Sequence, residues 1–130
     1  MKKLILITCL FFLCSCTQKS IETRLTNKSW TITKVKYQGR NYGLFFFRWN
    51  CISFKSQNQC DLPYFYGLTN NSKWFFISHE GIENFKIRIT GSEDKFLDYE
   101  FNCTFINNEQ YLDVLILKSD SLTLFCTSEK

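Results

Sequence analysis

The stretch Leu97-Asp98-Tyr99-Glu100-Phe101-Asn102-Cys103-Thr104-Phe105 decides the fold class of this chain. Every odd-numbered position in it is apolar and every even-numbered position is polar. Successive side chains of a β-strand point to opposite faces of the sheet, so this pattern predicts a strand with one buried and one solvated face. Residues 85–90 (Phe-Lys-Ile-Arg-Ile-Thr) repeat the alternation and predict a second strand of the same kind.

Further apolar segments recur along the chain between turn signals such as Gly67, Asn70-Asn71 and Gly91-Ser92-Glu93-Asp94. They predict strands over Trp30–Tyr37, Leu44–Trp49, Cys51–Lys55, Cys60–Tyr66, Trp74–Ser78, Tyr111–Leu117 and Leu122–Cys126. Strands at such regular spacing in a chain of 130 residues predict a single antiparallel sandwich or barrel. No segment has convincing helical spacing.

The first strand changes its alternation midway. Trp30 and Ile32 share one parity, whereas Val35 and Tyr37 share the other. A β-bulge near Thr33-Lys34 would return both pairs to the core and bend the strand sharply. Such bends let a sheet close on itself, and closure removes exposed edges. The prediction is therefore an all-β fold, a small antiparallel meander barrel of about eight strands.

The N-terminus has the organisation of an export signal. Lys2 and Lys3 precede an uncharged run of ten residues that is apolar except for Thr8 and is too short to span a bilayer. The run ends in Leu13-Cys14-Ser15-Cys16, which resembles the cleavage box of a bacterial lipoprotein precursor, with Cys16 as the acylated residue. The alternative is an ordinary secretory signal cleaved nearby. The resemblance implies a signal peptide over residues 1–15, a lipidated Cys16 and polar tether over residues 16–27, and a barrel domain over residues 28–130.

An acylated Cys16 would hold the protein on a lipid bilayer through fatty acyl chains such as palmitate. This implies a location in the cell envelope. Thr17 stands where many lipoproteins retained at the inner membrane have Asp, so the outer membrane is favoured. Without Lys2 and Lys3, 14 basic and 12 acidic side chains remain, a formal charge of +2 instead of +4. Nucleic acid is therefore not an implied partner.

The folded part resembles the small lipocalin-like lipoproteins of Bacteroidetes. The motifs that carry the resemblance are Trp30 at the start of the first strand, Ile52-Ser53-Phe54, Lys73-Trp74, and the late Asp120-Ser121-Leu122-Thr123-Leu124. They cover roughly residues 25 to 127. Together with the strand pattern, the resemblance implies a lipocalin-like barrel that binds a small apolar ligand without catalysis.

The composition is rich in aromatic residues, with 14 Phe, 6 Tyr and 3 Trp. These side chains either fill the core of a small β domain or line a cavity, since ligand pockets are mostly apolar and aromatic. In the cavity hypothesis, Phe45, Phe47 and Trp74 are the candidate ligand-binding residues. The alternative function is an envelope inhibitor or immunity-type protein that binds a protein partner through loops and the aromatic segment Leu44–Trp49.

Four cysteines follow Cys16. Cys51 and Cys60 would face each other in a hairpin centred near Lys55-Ser56, within the range of a disulfide. Since tight hairpins favour a Gly that this turn lacks, free thiols are the alternative. Cys103 and Cys126 lie on apolar strand faces and are predicted to be buried as small hydrophobic residues.

The sequence has none of the patterns that carry common enzyme chemistry. It lacks a phosphate-binding loop, a dinucleotide-binding glycine cluster and a nucleophile elbow. Its one histidine, His79, has no patterned partners for a metal or a nucleophile. We therefore expect no catalytic residues, no metal site and no cofactor.

Overall fold

A computed structural model describes residues 16–42, 50–64, 67–92, 95–107 and 112–129. Within this part the chain forms one helix, α1 (residues 16–26), and nine β-strands. The strands are β1 (Ser29–Tyr37), β2 (Arg40–Tyr42), β3 (Cys51–Phe54), β4 (Gln59–Tyr64), β5 (Gly67–Glu80), β6 (Asn84–Thr90), β7 (Glu100–Asn107), β8 (Leu112–Lys118) and β9 (Leu122–Glu129).

Eight of these strands close into an antiparallel barrel, which confirms the predicted fold class. Strands β3 to β9 follow one another as a meander, each paired with its neighbour. β1 closes the ring because it pairs with β3 through its first residues and with β9 along most of its length. β2 is an additional strand, which forms a hairpin with the last residues of β1.

The bulge predicted in β1 is present and lies at Thr33. Ile32 pairs with Cys126 and Lys34 pairs with Phe125, so two steps on β1 match one step on β9. The extra residue returns Val35 to the same interior face as Ile32, and both side chains are buried. The bulge thus reconciles the broken alternation of the sequence with a continuous apolar face on the closing strand.

The alternating stretch at residues 97–105 is buried as its pattern predicts. Phe101, Cys103 and Phe105 point into the barrel along β7. The strand itself begins at Glu100, because residues 95–97 form a turn that brings Leu97 into the core. The prediction is therefore right about the faces and three residues early in its starting point.

The pair Asn70-Asn71 is part of a strand and does not form the predicted turn. β5 pairs with β4 through its first half and with β6 through its second half. Leu62 pairs with Thr69 and Cys60 with Ser72, so β5 carries one extra residue there. The two asparagines lie at a bulge within a long strand. Asn favours turns, so its presence alone does not distinguish such a bulge from a reversal of the chain.

Residues 16–26 form a helix, whereas their polar composition predicts a tether. Only Ile21 and Leu25 are large and apolar in this segment, and they lie four positions apart on one face of the helix. Both are completely buried in the same apolar cluster as the barrel interior. The folded unit therefore includes residues 16–26, and α1 covers one end of the barrel.

We expect the closure of the barrel to depend on the extra residue at position 33. Deletion of Thr33 would give β1 a regular alternation that keeps Val35 and Tyr37 on their present face but removes the bulge and its bend, so that the strand could no longer follow both β3 and β9. The deletion should lower the free energy of unfolding by about 2–3 kcal/mol. Thr33→Ala is the matched control, because it keeps the residue count and loses only the hydrogen bond from Thr33 Oγ1 to the carbonyl of Phe125. It should cost less than about 1 kcal/mol. Urea unfolding measures both, and equal losses would contradict a role for the bulge.

Candidate functional site

Cys16, the predicted acylation site, is the first residue of α1 and is exposed. Ile21, five positions later, is already buried. Among the described residues, no helix combines the length and the apolar character that crossing a membrane requires. Cys16 therefore lies on the surface of the helix that covers one end of the barrel.

The helix is fastened to the barrel through Asp113, a buried carboxylate on β8. Arg24 binds both carboxylate oxygens, with its Nε 2.8 Å from Oδ2. Lys28 Nζ lies 3.0 Å from the same Oδ2. A buried charge is costly unless it is paired and hydrogen-bonded, so the two cations make the position of Asp113 possible.

Two aromatic rings of the barrel also contact the cations that hold α1 in place. The Arg24 guanidinium lies 4.2 Å from the centroid of the Phe105 ring, and Lys28 Nζ lies 5.5 Å from that of Trp30. The indole N–H of Trp30 donates to the carbonyl of Leu25 at 3.0 Å. That bond satisfies the polar atom of a buried Trp and one carbonyl in the last turn of α1. The helix, β1 and β8 are therefore joined at one end of the barrel.

The pKa of Asp113 reflects this pairing. Burial alone would raise the pKa of this carboxyl, but the hydrogen bonds and charges of Arg24 and Lys28 outweigh burial and hold it below the ordinary value. The same hydrogen bond raises the pKa of Arg24. The cluster is therefore ionised at neutral pH, and its electrostatic energy contributes to the attachment of α1.

Sequence reasoning missed this cluster, although β8 contains a signal for it. Asp113 has the same parity as Leu115 and Leu117, so the strand places a carboxylate on its apolar face. A charged residue on a face that points to the core requires a partner of opposite charge. The sequence does not show which cations supply it.

Large side chains pack the described part of the barrel interior. Trp30, Phe54, Phe101 and Phe105 are each at most 2% exposed. A chamber of several hundred cubic ångströms would leave the side chains around it accessible to solvent. These positions are therefore packed against other side chains and do not border such a space.

Of the three predicted ligand-binding residues, the structure describes one. Trp74 is buried, contacts Phe54 edge to face at 5.6 Å, and donates its indole N–H to the carbonyl of Lys55 at 3.0 Å. Its ring and its polar atom are both occupied by the protein itself. Phe45 and Phe47 lie outside the described residues, as does the predicted strand Leu44–Trp49.

Cys51 and Cys60 are free thiols and do not form the disulfide that the sequence allows. Phe54 pairs with Cys60, which centres the hairpin at Gln57 and not near Lys55-Ser56. Cys51 is therefore out of register with Cys60 and has the opposite parity along β3 from Phe54. Cys60 points into the core, whereas Cys51 is half-buried and lies beside the Ser29 hydroxyl.

The buried thiols have no feature of reactive cysteines. Cys103 and Cys126 are buried, as predicted, and burial raises the pKa of both well above the ordinary value. Burial, with the charges of Asp61 and Asp98, raises the pKa of Cys60 to about 12. A thiol that stays protonated is a poor nucleophile and a poor metal ligand. These residues therefore contribute packing.

His79 lies on β5 with Phe85 of β6 between it and Cys103 of β7. Two strand spacings, about 10 Å, therefore separate the imidazole from that thiol, too far for direct proton transfer. The ring packs beside Phe76, and its Nδ1 is buried without a hydrogen-bond partner. Within the described ranges, no group of three or more His, Cys, Asp or Glu side chains could hold a metal ion.

Two grooves lie side by side on the outer wall of the barrel. One, of about 300 Å³, runs along the ends of β5, β6 and β7, and its lining includes Glu80 and Asn84. The other, of about 330 Å³, reaches Tyr99 and Asp120. They share Lys86 and Asn102, so they form one continuous polar depression across the sheet. Such a surface offers hydrogen bonds to a partner and little apolar area.

A third depression, of about 610 Å³, lies along the outer face of α1. Its lining includes Cys16, Lys19, Arg24 and Lys28. Two of these cations are already bound to Asp113. The depression therefore adjoins the proposed acylation site. Its positive charge is partly neutralised, because Asp113 pairs with Arg24 and Lys28.

No protein-family model, curated protein or solved structure matches this chain.

We expect Asp113→Asn to detach α1 from the barrel. The change removes the charge that binds Arg24 and Lys28 and should lower the free energy of unfolding by about 2–3 kcal/mol, less than for a fully buried pair because both cations reach the surface. Asp61→Asn is the matched control, because the pair of Asp61 with Lys55 is more exposed. It should cost less than about 1 kcal/mol.

Urea unfolding at several pH values completes this experiment. Because the native pKa of Asp113 is lowered, its contribution is complete above the unfolded value, about 3.9, and is lost as the pH falls through the native value. The difference between the wild type and Asp113→Asn should therefore be constant near neutral pH and shrink in acid. A difference that is independent of pH down to full protonation would contradict the assignment.

Proposed function

We propose that the chain is a bacterial lipoprotein, anchored in the cell envelope through acylated Cys16, whose barrel acts by binding a partner at its outer surface. The support for the anchor is the basic, apolar and Leu-Cys-Ser-Cys sequence of residues 1–16, together with the exposed position of Cys16. The outer membrane remains the favoured location in this proposal, because Thr17 is not an Asp.

The observation that carries the surface-binding part is the inaccessibility of the interior side chains. An eight-stranded barrel has an interior that is either just filled by side chains or wide enough for one small ligand. Here large aromatic residues occupy it, and the described grooves lie on the outside. This favours a protein partner, as for an envelope inhibitor or immunity-type protein, over an apolar ligand held inside a lipocalin-like barrel.

Non-catalytic action is part of the same proposal. The described groups with shifted pKa values are three buried thiols and the ion pair of Arg24 with Asp113. Each shift has a structural cause, burial or the attachment of α1. None belongs to a pair of titratable groups converging in a cleft, the arrangement that would favour an enzyme.

Cys16→Ser should release the protein from the membrane fraction and abolish its labelling with radioactive palmitate, because the thiol that carries the acyl chain is gone. Cys14→Ser is the matched control and should leave membrane association and labelling unchanged. Continued lipid labelling of Cys16→Ser would show that the acyl chain is attached to another residue. Loss of labelling in Cys14→Ser alone would likewise contradict acylation at Cys16.

Native mass spectrometry tests the filled interior separately. We expect the Cys16→Ser protein to have the mass of the polypeptide alone and to form no one-to-one complex when palmitate is added. This variant is chosen because it carries no acyl chain of its own at that site. A stoichiometric complex, whether co-purified or formed on addition, would return the interior-ligand hypothesis to first place.

A further inference from the structure

We infer that the end of the barrel covered by α1 is a membrane-docking surface, which inserts exposed apolar side chains into a lipid bilayer. The inference deepens the proposed anchoring at Cys16. Three features of the molecule support it: the lack of a spacer after Cys16, an apolar patch at the same end of the barrel, and the pairing of the charges around that patch.

The helix leaves no spacer between the anchor and the folded domain. α1 begins at Cys16, and Ile21, five residues later, is already buried in the core. Five helical residues span about 8 Å, which is comparable to the depth of the lipid headgroup layer. A barrel held by acyl chains on Cys16 cannot stand away from the bilayer, so the α1 end must lie against the lipid surface.

Three large apolar side chains are exposed at this end. Ile82 is 59%, Ile106 45% and Leu112 41% exposed. Ile82 and Ile106 flank the hydrogen bond from the amide of Phe105 to the carbonyl of Glu83, at 2.8 Å. We call Ile82, Ile106, Leu112 and the half-buried Val114 the apolar patch.

Ile106, Val114 and Leu112 form a contiguous part of the apolar patch on the outer wall. Ile106 pairs directly with Val114 on the neighbouring strand. Leu112 is two residues from Val114 and therefore lies on the same face of β8. Exposed apolar residues that occur singly need no explanation, whereas a contiguous group indicates an interaction site.

The apolar patch and the helix are adjacent. Arg24 of α1 contacts the inward-pointing Asp113 and Phe105. Asp113 lies between Leu112 and Val114 in the chain, and Phe105 is next to Ile106. The residues that fasten the helix thus alternate with the residues that form the patch, which places both at one rim of the barrel.

The charges at this rim point to apolar insertion as the driving force. The positive charges of Arg24 and Lys28 are engaged by Asp113. Glu83, beside Ile82, is also close enough to Arg24 to interact with its charge. The rim therefore offers little net attraction to anionic lipid, and binding should occur on zwitterionic vesicles and depend only weakly on salt.

Co-sedimentation with phosphatidylcholine vesicles tests this surface on the Cys16→Ser protein of residues 16–130, which lacks the apolar signal segment. Because this protein has no acyl chain, the result does not depend on whether Cys16 is lipidated in cells. The double variant Ile82→Ser/Ile106→Ser in this background should partition on the order of tenfold more weakly, because two exposed isoleucines no longer enter the lipid. Phe75→Ser is the matched control.

Phe75 is 40% exposed but pairs with Arg88, about 13 Å along β6 from Asn84 at the α1 end. Its replacement should leave partitioning unchanged. The surface is refuted if the Cys16→Ser protein does not bind the vesicles, if the double variant binds equally well, or if Phe75→Ser weakens binding to the same extent. Absent binding would leave a protein partner as the occupant of the patch.

Hydrogen–deuterium exchange supplies a readout that needs no change in the patch. On addition of vesicles, amides at residues 81–83 should exchange several times more slowly in the Cys16→Ser protein, whereas amides at residues 119–121, at the other end, should be unaffected. Protection at residues 119–121 instead would show that the end of the barrel opposite α1 contacts the lipid, which would contradict the proposed surface. Failure of palmitate labelling at Cys16 refutes the proposed anchor without altering either of these results.

Discussion

The position of α1 on the barrel depends on the ion pairs that Asp113 forms with Arg24 and Lys28. The Asp113 carboxylate is buried at one end of β8 and is tolerable there only because Arg24 and Lys28 reach it from the segment at the end of the helix. The ion pairs fix α1 across the barrel end, and Ile21 and Leu25 then complete the core. Since Cys16 is the first residue of that helix, the same carboxylate also fixes where an acyl anchor would stand relative to the barrel.

The barrel strands can be predicted from the sequence because the burial of one strand face appears as an alternation of neighbouring apolar and polar residues. The alternation around Phe101 predicts which side chains point inward, and the change of parity after Ile32 predicts the bulge at Thr33. Both rest on a period of two, which no other regular structure shares. The bulge is the more informative feature, because it links the local pattern of β1 to the closure of the whole sheet.

Features that depend on contacts between distant residues were not predictable in this way. α1 contains only Ile21 and Leu25 as large apolar residues, too few for a helical period, and it is stabilised by a carboxylate about 90 positions along the chain. The hairpin between β3 and β4 has no Gly to indicate where its centre lies. The predicted centre was one and a half residues from the observed centre at Gln57, and with the observed register Cys51 does not face Cys60.

The proposed anchor at Cys16 and the packing of the interior side chains together restrict where a partner could bind. If the α1 rim rests on lipid, the surfaces that remain accessible are the outer wall and the opposite end, where the groove lined by Tyr99 and Asp120 lies. In that groove Glu100 is already paired with Lys86 and Arg88, so recognition there would depend on hydrogen bonds more than on net charge. A barrel anchored as proposed, with this polar groove at its opposite end, is suited to binding a water-soluble partner on the side away from the membrane.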